Sequence, residues 1–156
     1  EHAGGALYDL NIYNLHFVMG VLGTPKEVIY RPNLGFNGID ISGTALLDYD
    51  DYTVVCSAAK DSESISGIVF QGEKGYMELV GAPNACALVK VHKKGEEEIL
   101  INKEKYNHRM VNEFVAFTEI FKQQDLATCY KTLEHSLNVM KVLEQARISG
   151  KVEFNI

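Results

Sequence analysis

Thr53-Val54-Val55-Cys56-Ser57-Ala58-Ala59 is apolar or small at both parities, and Ser66-Gly67-Ile68-Val69-Phe70 repeats that texture a few residues on. Segments of this kind suit a sheet buried on both faces. Around them, from Lys26 to about Ile101, short β-branched and aromatic runs alternate with turn residues. The pattern predicts strands over Glu27 to Arg31, Ile41 to Asp48, Tyr52 to Ala59, Ser64 to Phe70, Tyr76 to Val80, Ala87 to His92 and Glu98 to Ile101. Asp50-Asp51, Glu73-Lys74-Gly75 and Lys93-Lys94-Gly95 supply the turns, and the connections are too short for crossover helices, so most neighbours are antiparallel.

Helical spacing flanks this block. Leu7, Leu10, Phe17 and Val21, with Leu15, Val18 and Leu22 filling in, form an apolar stripe that ends near Leu22, before Gly23-Thr24-Pro25. Met110, Phe114, Phe117 and Phe121 mark a helix from about His108 to Gln123, the stripe being read as core. Leu133, Leu137, Met140 and Leu143 mark a last helix, with Thr128 as N-cap and Gly150 just past its end. Val152 to Phe154 is read as a final edge strand. The fold class is α+β: one open, mostly antiparallel sheet of about six strands with helices on one face, in a single domain spanning 1–156. The free sheet face is expected to pack on a second copy, making a twofold homodimer.

The totals bound the function. Of 156 residues 46% are hydrophobic and 23% charged, close to ordinary globular usage. Fifteen basic against twenty-one acidic side chains give a net charge of −6, which argues against nucleic acid as partner. No apolar run approaches the roughly 18 to 20 residues of a membrane span, and no secretory leader precedes the first helix. Cys56, Cys86 and Cys129 form no C-x-x-C pair, so a reducing cytoplasm is the expected setting and all three are read as buried thiols. His2, His92, His108 and His135 lack metal-site spacing, and no metal is expected. Glu96-Glu97-Glu98 beside Lys93-Lys94 reads as a solvated hairpin end.

Asp9, Tyr13 and His16 recur at i, i+4 and i+7, on one polar side of the first helix. The Gly4-Gly5 pair before them leaves the backbone bare for a ligand or a neighbouring domain. A carboxylate, a phenol and an imidazole together can pass a proton to or from a substrate hydroxyl, provided a cation lowers the phenol's pKa from about 10. No such cation is visible nearby in the sequence. The same spacing also fits a half-buried core tyrosine with its hydroxyl at the rim, an Asp9 that complements the helix dipole, and a surface histidine.

Gly4-Gly5-Ala6-Leu7-Tyr8-Asp9-Leu10-Asn11-Ile12-Tyr13 resembles the G-G-x-L-x-D-x-G-x-[HY] segment that opens the C-terminal domain of the glucose-fructose oxidoreductase / inositol dehydrogenase (Gfo/Idh/MocA) family. Gln71 to Leu79 is similar to that family's G-x-x-G-x-[IL] hairpin, Asn112 to Phe117 to the start of its penultimate helix, and Ser136 to Arg147 to its final helix. The resemblance implies a substrate-binding half of an NAD- or NADP-dependent oxidoreductase acting on a sugar, polyol or dihydrodiol-like alcohol. It implies Tyr13 and Asp9 as catalytic residues and Asn11 and His16 as substrate contacts. Tyrosine rather than histidine at position 13 is closer to the glucose-fructose oxidoreductase and dimeric dihydrodiol dehydrogenase branches. Asn11 departs from the family's usual glycine, and His16 stands where an Asp is common. The dinucleotide fold and the Glu-Lys-Pro segment, whose lysine would serve the tyrosine, are absent from these residues, so no cofactor-binding residue is assigned and the fragment alone is expected to be inactive. The competing reading is a non-catalytic sugar-binding or dimerisation module with the same fold.

Overall fold

A computed structural model of the chain describes residues 4–101, 106, 108 and 110–153. The chain forms two compact units, Glu1–Glu63 with Tyr130–Ile156, and Ser64–Cys129.

In the first unit a π-helical turn, Leu7–Asn11, leads into helix α1, Ile12–Leu22, which Gly23 ends at φ 82°. Strands β1 (Glu27–Leu34), β2 (Asp40–Asp48) and β3 (Thr53–Ala59) then form an antiparallel sheet in sequence order. Its register places Val28, Leu47 and Val54 in one row and Tyr30, Ala45 and Cys56 in the next. These rows meet Leu7, Leu15, Val18 and Met19 from the opening helical segment and Val139, Val142, Leu143 and Ala146 from the last helix. That helix, here α3, runs Leu126–Ser149. Its N-cap is Asp125, not Thr128: the Asp125 carboxylate accepts the Thr128 N–H at 3.0 Å, and these hydrogen bonds hold it below the usual carboxylate range. Val152 and Glu153 are not in a strand, and Phe154 lies outside the described residues. Val152 is instead a buried plug whose carbonyl accepts from Arg147 Nη1 at 2.8 Å.

The sheet's other face carries Ile29, Leu46 and Val55 in register, with Val55 62% exposed. The Thr53–Ala59 segment, which reads as doubly buried, is thus covered on one face only among the described residues. The inward stripe of α1 is also offset from expectation: Leu15, Val18 and Met19 are buried, while Val21 is exposed. The π turn explains this, because its i→i+5 bonding shifts the phase of everything before it relative to α1.

In the second unit β4 (Gly67–Gly72), β5 (Gly75–Val80), β6 (Leu88–Lys93) and β7 (Ile99–Ile101) form a separate four-stranded antiparallel meander. The seven strands among the described residues therefore make two sheets of three and four, where the sequence suggested one of about six. Helix α2, Met110–Gln123, has no buried residue, and Phe121 is 84% exposed. Its expected core stripe of Met110, Phe114, Phe117 and Phe121 lies at the surface, since amphipathic spacing reports a face that favours cover without specifying what covers it. Of the three cysteines only Cys56 is buried, its pKa pushed up to about 12 by desolvation; Cys86 and Cys129 are exposed. No helix among the described residues is long and apolar enough to cross a membrane.

Candidate active site

The start of the first helical segment is built around a buried carboxylate. Asp40, at the head of β2 and 2% exposed, accepts the Leu7 N–H at 2.6 Å and the Tyr30 hydroxyl at 2.8 Å. A carboxylate at a helix N-terminus satisfies orphan donors and meets the favourable end of the helix dipole. Burial, and then the bond to Asp40, raise the Tyr30 pKa above its ordinary value. Gly5 is part of this arrangement: a Cβ there would stand 1.8 Å from Asp40 Oδ1. The bareness expected to receive a ligand at Gly5 is thus taken up by the chain's own aspartate, while Gly4 is exposed.

Asp9 follows in the π turn and is exposed. Its Oδ2 lies 2.6 Å from Lys60 Nζ, and the same ammonium donates to the Gly4 carbonyl at 2.6 Å. Tyr13 stands in the first turn of α1, 45% exposed, with no hydrogen bond among the described residues. No hydrogen bond joins it to Asp9. Asn11 turns inward and is fully buried; its Oδ1 accepts from Asn14 Nδ2 at 2.8 Å, Asn14 Nδ2 also reaches the Ser57 carbonyl of β3, and Asn11 Nδ2 has no partner among the described residues. His16 faces α3, its Nδ1 3.2 Å from His135 Nε2 with the rings tilted. Burial, and secondarily the neighbouring imidazole, lower the His16 pKa.

The four sequence candidates therefore part company. Asp9 and Tyr13 remain open to solvent, Asn11 supports the turn from the sheet side, and His16 is tied to the last helix. Beside them Tyr8 donates to Glu144 Oε2 at 2.9 Å, and Arg147 closes a two-pronged pair on the same carboxylate at 2.8 and 2.7 Å. These bonds hold Glu144 down at about 2, while burial and then Glu144 push Tyr8 up to about 12. Sequence reasoning missed Lys60, Asp40 and His135, each distant in the chain from the residue it engages. Among the described residues no three His, Cys, Asp or Glu side chains group in a way that could hold a metal ion.

No family model matches the chain. Its sequence is 29% identical over 150 residues to scyllo-inositol 2-dehydrogenase (NADP(+)) IolU of Bacillus subtilis, across 94% of this chain and 44% of that protein. It is 31% identical over 75 residues to the uncharacterized oxidoreductase YgjR of Escherichia coli, across 48% of this chain and 23% of that protein. Among solved structures, a 3-ketoreductase from Actinomadura kijaniata, in complex with TDP-benzene and NADP, superposes with a TM-score of 0.77 at 17% identity, covering 94% of this chain and 48% of that one. Aldose-aldose oxidoreductase from Caulobacter crescentus, complexed with glycerol, gives 0.73 at 16% identity, covering 95% and 46%. The fold is thus one found in oxidoreductases, and both sequence relatives are oxidoreductases, the kind of protein that the opening motif implies. The chain spans less than half the length of the curated relatives it matches.

Proposed function

We propose that this chain is the substrate-binding, C-terminal domain of an NAD- or NADP-dependent oxidoreductase of the glucose-fructose oxidoreductase / inositol dehydrogenase family, of the tyrosine type, acting on a neutral sugar or polyol. The observation that carries the reading is Tyr13: a tyrosine in the motif's acid-base position that is 45% exposed and makes no hydrogen bond among the described residues. These residues contain no G-x-G-x-x-G cradle, and the dinucleotide is held outside them. The cofactor supplies hydride chemistry. This chain's part is to bind the alcohol and exchange its hydroxyl proton at the Tyr13 oxygen. Asp9 orients the substrate hydroxyl, His16 stands one turn beyond Tyr13 along the same helix, and Asn11 braces the turn against β3.

The sheet face bearing Ile29, Leu46 and Val55 packs on a second copy of the chain, as an apolar row on an open face favours. Sedimentation showing a clean monomer at micromolar concentration speaks against that contact. Three cysteines in no C-x-x-C pair favour a reducing, cytoplasmic setting.

The test is turnover by the full-length protein with NAD+ or NADP+ and a panel of neutral polyols and aldoses that includes scyllo-inositol. The Tyr13→Phe variant is expected to keep its fold and lose about 100-fold or more in kcat, the usual scale for removing an acid-base group. A full-length protein that binds polyols yet turns none over favours the non-catalytic module instead.

A further inference from the structure

Lys60 follows directly on β3, and its backbone is still anchored, the Lys60 N–H donating to the Ile41 carbonyl of β2 at 2.8 Å. From that fixed base the side chain reaches the opening segment, where Nζ lies 2.6 Å from both Asp9 Oδ2 and the Gly4 carbonyl oxygen. One ammonium thus joins the carboxylate to the backbone five residues before it and to the sheet. An ammonium offers three donors; one goes to the Gly4 carbonyl, and the Asp9 carboxylate meets the same ammonium as an ion pair.

The pair is open to water, with side-chain exposures of 35% for Lys60 and 59% for Asp9. Ion pairs this exposed add little to stability. What such a contact does is restrict geometry: an exposed aspartate samples several rotamers, whereas one held at Oδ2 presents Oδ1 in a single direction. We infer that Lys60 is a positioning residue, which fixes the Asp9 carboxylate as an oriented acceptor for a substrate hydroxyl. This rests on the function proposed above only for its substrate; the clamp itself is a property of the chain. Neither residue type nor spacing suggests it, and the lysine acts through Asp9 without being assigned to the reacting atoms.

A double-mutant cycle in the full-length protein tests the inference, with scyllo-inositol as the probe and KM and kcat read separately. Lys60→Met is expected to raise KM about tenfold while kcat changes by less than about threefold, and Lys60→Arg to recover most of the loss. In an Asp9→Asn background Lys60→Met should add less than about twofold. Losses that multiply in the double variant, or an unchanged KM in Lys60→Met, overturn the role. If no polyol is bound or turned over, the functional reading fails and the clamp is judged by NMR: Asp9 side-chain couplings report one rotamer in the parent and averaging in Lys60→Met. Couplings that stay unaveraged in the variant overturn it on that ground alone.

Discussion

The Tyr30 hydroxyl donates to Asp40 Oδ2 at 2.8 Å, and that same oxygen accepts the Leu7 N–H at 2.6 Å. One buried carboxylate oxygen therefore joins the middle of β1 to the beginning of the first helical segment. Tyr30→Phe removes one of its two donors without leaving a void. A buried charged group deprived of a hydrogen bond costs about 1–3 kcal/mol, so the variant is expected to lose about 2 kcal/mol in urea unfolding. A loss below about 0.5 kcal/mol would mean that water replaces the phenol, against the 2% exposure of Asp40.

Gly5 faces the other side of that carboxylate, where an added Cβ would sit 1.8 Å from Asp40 Oδ1 and 2.7 Å from its Cγ. Gly5 is absent from the positive-φ residues, so its requirement is one of space and not of backbone conformation. Gly5→Ala must displace the aspartate and with it the Leu7 and Tyr30 bonds. Unfolding should show about 3 kcal/mol or more of destabilisation, at the upper end of overpacking. Combined with Asp40→Ala, the same substitution should cost far less than the sum of the two, because the clash partner is gone.

The strands were legible because β-branched runs and turn residues alternate along Lys26 to Ile101, and each of the seven appears within a few residues of its expected place. Their division into two sheets was not, since pairing depends on neighbours that no local pattern names. The π turn at Leu7–Asn11 was equally hidden: Leu7 and Leu10 fit an α-helical stripe, and only the bonding shows the wider turn. Asp9 and Tyr13 stood out by spacing and motif and are the two candidates that face water. Asn11 and His16 stood out the same way, yet one is sealed beneath the turn and the other is engaged by His135. Asp125 as the true cap of α3 could have been preferred, because Asp is a better N-cap than Thr and stands three residues earlier.

Glu144 gives stability a dependence on acid. Its pKa is held at about 2 by hydrogen bonds from Arg147 and Tyr8, against an unfolded value of 4.5. A depressed carboxylate contributes above its unfolded pKa and loses that contribution as pH falls toward the folded one. The parent chain should therefore lose stability between about pH 4.5 and 2, and Glu144→Gln should flatten that part of the curve. The carboxylate is half exposed, so screening keeps the effect modest and raising the salt should reduce it further. Equal slopes in parent and variant would place the acid sensitivity elsewhere.

His16 gives a second, separable dependence. Its pKa is lowered from 6.5, first by burial and then by His135, whose Nε2 lies 3.2 Å from its Nδ1. With one N–H on the line between the facing nitrogens the pair is neutral and hydrogen-bonded; protonating His16 is opposed by its burial and, beside a charged His135, would set two cations face to face. The unfolded chain takes up protons more readily than the folded one below pH 6.5, so stability falls as the pH drops beneath that value and is retained above it. Proton NMR should show the His16 ring titrating below the ordinary histidine value. His135→Gln, which keeps a polar partner but removes the second imidazole, should move the His16 midpoint upward only part of the way, because desolvation is the larger cause. A complete return to the ordinary value in that variant would reverse the order of the two effects, and no movement at all would mean that the two rings do not meet in solution.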